Sequence, residues 1–125
     1  MSLFEPIEKY VDQLDVASIS AARKLVLNEL AAAIKQQNNE GKTAQLNFIC
    51  TQNSRRSHFN QIWAQTMAHF FDVNAHCYSG GTEATALFPK VLETLINIGF
   101  EAIPLSNEPN PIYAIKFAAI QQPII

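Results

Sequence analysis

Two cysteines among 125 residues are too few for a disulfide framework, so the chain has to be held by its own core, and Cys50 and Cys77 each need a separate explanation. Nor do they build a metal site. No C-x-x-C or H-x-x-x-H pair occurs, and the histidines His58, His69 and His76 are scattered, so neither a metal nor a cofactor is expected. Charged residues make up only 16% and the net charge is -2, with no run of Lys or Arg long enough to follow a phosphate backbone. Nucleic acid is excluded as an expected partner on that ground. No stretch approaches the ~20 uncharged apolar residues of a membrane span, and no basic region leads into an apolar run at the N-terminus. The expectation is a cytoplasmic protein without membrane contact. Internal repeats and low-complexity tracts are also lacking.

What is present is apolar: 48% of the residues, enough for one sizeable core in a chain of single-domain length. Phe4, Ile7, Val11 and Leu14 recur at three- and four-residue steps between acidic residues, which predicts a short amphipathic helix. Ser18 reads as the N-cap of a longer helix with Ile19, Ala22, Val26, Leu30, Ala33 and Ile34 as its apolar stripe, ending near Asn38 to Gly41. Leu46 to Ile49 is a short strand, and from Ser57 the residues Phe59, Ile62, Trp63, Thr66, Met67 and Phe70 return to helical spacing. Val73 to Tyr78 reads as a second strand, Ser79 to Thr82 as a turn, and Ala86 to Ile98 as a helix closed by Gly99. Phe100 to Leu105 and Ile112 to Ala119 read as strands around a turn-rich loop, Asn107 to Pro111. This alternation implies an α/β fold, a three-layer sandwich with a parallel sheet covered on both faces, preceded by two helices. Residues 1–44 form the expected helical extension and 45–125 the α/β domain. Trp63, Phe70, His69 and His76 are assigned to structure, Cys77 to a buried strand thiol, His58 to the surface and Glu83 to a helix start.

Chemistry concentrates in Cys50-Thr51-Gln52-Asn53-Ser54-Arg55-Arg56-Ser57. A cysteine at the carboxyl end of a strand, followed by a short loop into a helix, lies where open α/β sheets bind ligands. The helix that starts near Ser57 turns its unpaired N–H groups and positive dipole end toward the loop, and amides of Thr51 to Arg55 can form a nest for an anion. The same field favours the thiolate of Cys50, the nucleophilic form. Arg56, six residues on, can return its planar fork to the equatorial oxygens of a tetrahedral oxyanion. Ser57 can hydrogen-bond the sulfur, and Asn53 can hold the loop in shape.

These residues resemble the C-x5-R-S loop of low-molecular-weight protein tyrosine phosphatases and thioredoxin-coupled arsenate reductases. Ile62-Trp63-Ala64 and the segment from Tyr78 through Ser79-Gly80-Gly81-Thr82 to Pro89 resemble that superfamily's helix, second strand and S-x-G-T turn. The match runs from about Leu46 to Leu105. It implies a four-stranded parallel sheet between helices, and attack by Cys50 on phosphorus or arsenic with Arg56 binding the oxyanion. The partners implied are phosphate or arsenate, carried by a phosphoprotein or resolved by a thiol reductant. The pattern departs from the family in two places. The phosphatases' Asp-Pro general acid has no counterpart, since Asp12, Asp15 and Asp72 all lack a following proline, and only Cys77 could serve the reductases' cysteine relay. A family member with this N-terminal extension would run past Ile125, so the α/β domain is expected to be incomplete, with its open sheet edge able to pair with a second copy as a homodimer. An oxyanion-binding or regulatory module without catalysis is the alternative.

Overall fold

The computed structural model describes residues 2–50, 56–81, 89–105, 113–118 and 124. Helix α1, Glu5–Asp12, begins with Pro6 in its first turn and acidic Glu5 and Glu8 at its positive end, both favourable there. Its Ile7 is completely buried. Asp15 then caps a single 3-10 turn, Val16–Ser18, its carboxylate accepting from the Ala17 N–H at 3.0 Å. Ser18, expected as the cap of the long helix, instead donates its hydroxyl to the Asp15 carbonyl at 2.6 Å. The turn that Asp15 organises consumes Ser18, and the cap moves to Ser20, whose Oγ accepts from the Arg23 N–H at 3.2 Å. Helix α2, Ala21–Asn39, follows and has no buried residue along its length.

Strands β1, Ala44–Cys50, and β2, Ala75–Gly81, pair in parallel from Ala44↔Ala75 to Cys50↔Gly81, with helix α3, Arg56–Phe70, as the crossover between them. The strand–loop–helix–strand order and the parallel pairing agree with the reading of the sequence. β2 is longer than expected: Ser79, Gly80 and Gly81, read as a turn, are strand because Phe48, Ile49 and Cys50 supply their ladder partners. Thr82 and the rest of that motif lie outside the described residues.

The outer edge of β2 is covered by two glutamines of α3. Gln65 accepts from the Cys77 N–H at 2.9 Å and donates to the Ala75 carbonyl at 3.0 Å, while Gln61 donates to the Cys77 carbonyl at 3.1 Å. These bonds satisfy backbone groups that an edge strand otherwise presents to another chain. At the opposite end of the sheet, Asn38 exchanges two bonds with the backbone of Asn74, at 2.9 and 3.0 Å, fixing the base of α2 to the start of β2.

Helix α4, Pro89–Ile98, ends at Gly99, as expected; residues 82–88 before it are outside the described set. Gly99 sits at φ +132°, and a Cβ there would come within 2.6 Å of Pro6 Cβ, so both backbone freedom and the close approach of α1 require glycine. Strands β3, Glu101–Pro104, and β4, Tyr113–Lys116, form an antiparallel pair. This corrects the expected all-parallel arrangement. The connection through residues 105–112 is shorter than the dozen or so residues a parallel crossover needs, so the chain must return in the opposite sense. Among the described residues the molecule is thus mixed α/β, with a two-stranded parallel sheet and four α-helices.

The main core joins α1, α3, α4 and the β3–β4 pair: Leu3, Ile7, Ile62, Val91, Leu95, Phe100, Ile115 and Phe117 form one buried cluster. Trp63 packs at its margin, stacked on Tyr10 and edge-on to Phe100, while the Phe4 N–H donates to the Phe117 carbonyl at 2.8 Å. No helix among the described residues is long and apolar enough to cross a membrane.

Candidate active site

β1 delivers Cys50 as its last residue, and α3 begins at Arg56. The alternation along β1 turns Ala44, Leu46, Phe48 and Cys50 toward α3 and leaves Gln45, Asn47 and Ile49 exposed. Cys50 is therefore half-buried at the strand-to-helix junction. Its Sγ lies 3.1 Å from the Oγ of Ser57, and Ser57 is almost wholly enclosed, with 2% of its surface exposed. As a thiol, Cys50 donates to the hydroxyl oxygen; as a thiolate it accepts from the hydroxyl. Beside Cys50 in the register stands Gly81, which brings no side chain to the mouth of the junction.

Arg56 is exposed as the first residue of α3, and its carbonyl accepts from Asn60 Nδ2 at 2.7 Å, which ties down the first turn. His58 is half-buried in the same turn. Thr51, Gln52, Asn53, Ser54 and Arg55, read from the sequence as the oxyanion-binding loop, lie outside the described residues. Of the sequence-derived site, the structure thus brings Cys50 and Ser57 into contact and places Arg56, exposed, as the first residue of α3. Among the described residues no three His, Cys, Asp or Glu side chains cluster as metal ligands. Asp72 follows the far end of α3, a helix length of about 22 Å from the junction. Asp15 is engaged in capping the 3-10 turn.

Gln61 and Gln65 were not singled out from sequence, although they hold the second strand of the junction in place. The sequence carries only their i, i+4 spacing on the helix, which does not locate the backbone groups of β2 that they bind.

Cys77 is 3% exposed inside β2, and burial pushes its thiol up to about 11 from an ordinary value of 9.0. Between those values the unfolded chain loses the proton while the fold keeps it, so the folded state binds more protons and stability falls as pH rises from about 9 to about 11. The total loss expected is about 2–3 kcal/mol. Urea unfolding of wild type and Cys77→Ala across that window reads it as a slope present only in the wild type; equal slopes would remove the assignment.

Comparison with protein-family models, with curated proteins and with solved structures matches this chain to none of them.

Proposed function

We propose that this chain is a thiol-dependent oxyanion enzyme of the kind its loop resembles, a low-molecular-weight tyrosine phosphatase-like or arsenate reductase-like protein on a three-layer α/β sandwich. The observation that carries the reading is the 3.1 Å contact between Cys50 Sγ and the enclosed Ser57 Oγ at the junction of a parallel strand and a helix N-terminus. A serine hydroxyl held against the sulfur stabilises the thiolate and so eases its departure in the second half of a covalent mechanism.

With a phosphomonoester, Cys50 sulfur attacks phosphorus, the S–P bond forms, the ester O–P bond breaks, and the leaving oxygen takes a proton from water. Water then attacks phosphorus, the S–P bond breaks, and phosphate leaves. With arsenate, Cys50 sulfur displaces an oxygen of arsenic; a second, external thiol attacks the Cys50 sulfur, giving a disulfide as arsenic(V) becomes arsenite. Arg56 and the amides of residues 51–55 bind the oxyanion in both.

Asp15 is engaged in its cap and Asp72 lies at the far end of α3, so neither is placed to protonate the leaving group; hydrolysis without a general acid is slower by about 10²–10⁴. That same observation favours the second reading, an oxyanion-binding module that does not turn over. The deciding experiment measures aryl phosphate hydrolysis and thiol-dependent arsenite production by wild type and by Cys50→Ser. Cys50-dependent production of either product supports the enzyme; phosphate binding with no turnover supports the module. Ser57→Ala is expected to lower kcat about tenfold with KM little changed, the effect of one hydrogen bond to the departing sulfur. A rise in KM at constant kcat would instead assign Ser57 to substrate binding.

A further inference from the structure

Ser57 meets Cys50 from a different element, so the height and rotation of α3 on the sheet decide whether the two touch. Ser57, Gln61 and Gln65 follow one another at four-residue steps along one slowly turning stripe of α3, each about 6 Å further down the axis. Ser57 and Gln61 are both buried, although a helix stripe packed on a sheet is ordinarily apolar. Gln61 donates to the Cys77 carbonyl at 3.1 Å, and Gln65 binds the Cys77 N–H and the Ala75 carbonyl at 2.9 and 3.0 Å.

These bonds close a ring of fixed elements. Cys77 stands beside Leu46 in the parallel ladder, and Cys50 ends the same strand four residues on. From the sulfur the path runs down β1, across the ladder to Cys77, through Gln61 to α3, and one turn back to Ser57 and the sulfur. The other side of α3 contributes Ile62 to the main core, with Trp63 and Met67 at its margin. Apolar contact of that kind is non-directional and tolerates a small slide of the helix. A hydrogen bond weakens steeply when stretched or bent, so the glutamines set the position that the core leaves loose.

We propose that Gln61 is a positioning residue: its bond to the Cys77 carbonyl fixes the height of α3 on the strand pair and so holds the Ser57 hydroxyl against the Cys50 sulfur, which rests on the reading of that sulfur as the reactive thiolate. Gln65 carries two of the three bonds and anchors the helix one turn further from the site. A role in stability alone would make Gln65 the more important of the two everywhere. Positioning makes Gln61 the more important at the sulfur, because with Gln61 gone the end of α3 that carries Ser57 swings about the Gln65 anchor, whereas with Gln65 gone Gln61 still holds that end.

The test is the pH profile of iodoacetamide alkylation at Cys50 in the full chain, followed by mass spectrometry of the Cys50 peptide so that the buried Cys77 does not enter the reading. Ser57→Ala is expected to raise the midpoint by about one pH unit, a tenfold loss of thiolate below it. Gln61→Met, close in size but without the donor, should raise it by about half a unit or more, and Gln65→Met by less than about 0.2. In the Ser57→Ala background Gln61→Met should add almost nothing, since both act on one contact. Gln61→Ala repeats the measurement should the methionine variant fail to fold, and circular dichroism with urea unfolding establishes that each variant is folded. The profile needs no substrate, so it reads Gln61 whether or not the chain turns over. A midpoint that moves in Ser57→Ala but in neither Gln61 variant, an equal shift in Gln65→Met, or additive effects of Ser57 and Gln61 would overturn the proposal and leave the thiolate reading in place. A midpoint unmoved by Ser57→Ala would overturn the role of the Cys50–Ser57 contact, and the proposal with it.

Discussion

Exchanging Cys50 for Ser is expected to lower turnover of an aryl phosphate or of arsenate by on the order of 10⁴-fold or more, while leaving oxyanion affinity within a few-fold of wild type. The substitution nearly keeps the shape of the side chain that stands against Ser57 at the end of β1. What changes is the chemistry of the attacking atom. A thiol near a helix N-terminus can be ionised at neutral pH, whereas an alcohol in the same field remains protonated. In the proposed mechanism the oxyanion is bound by other groups, Arg56 and the amides of residues 51–55, so binding is expected to survive loss of the sulfur. Steady-state kinetics together with phosphate titration separates the two terms. Loss of binding in step with turnover would mean that Cys50 holds the loop in shape and is not the nucleophile.

The parts of the fold that could be read from sequence are those whose signals are local. The apolar run before Cys50 and the helical period after Ser57 predicted the strand and helix that flank the site, and Gly99 marked the end of α4. Signals that depend on a partner elsewhere in the chain were misread or missed. Ser79-Gly80-Gly81 has the composition of a turn, yet it lies in the parallel ladder because β1 extends alongside it. The antiparallel β3–β4 pair follows from the length of its connection, which outweighs the α/β alternation that suggested a parallel strand. The stripe on α2 reads the same whether or not anything covers it, so its exposure was not legible. At the site, the spacing from Cys50 to Ser57 foresaw the contact, because a loop between a strand and its crossover helix returns the first helical turn to the strand end. Gln61 and Gln65 escaped notice because their partners are backbone groups of β2, which sequence pattern alone does not locate.

Leu95→Ala is expected to destabilise the fold by about 3 kcal/mol, a large share of the roughly 5–15 kcal/mol that holds a domain of this size. Leu95 is completely enclosed and belongs to the cluster in which α4 meets Ile7 of α1, Phe100 and Phe117. Its carbonyl also accepts from the N–H groups of Gly99 and Phe100 at 3.2 and 3.0 Å, so the end of α4 is built around this residue. Truncation removes apolar contacts and leaves a void that cannot collapse readily: Gly99 already sits as close to Pro6 as a glycine allows. Ile96, one position along and 49% exposed, provides the internal comparison, with an expected loss below about 1 kcal/mol for the same truncation. Urea unfolding of both variants measures the difference. Activity normalised to the folded fraction should be unchanged in Leu95→Ala, because the Cys50–Ser57 contact is carried by β1 and α3. A fall in activity per folded molecule would show instead that the core below α4 sets the geometry of the junction.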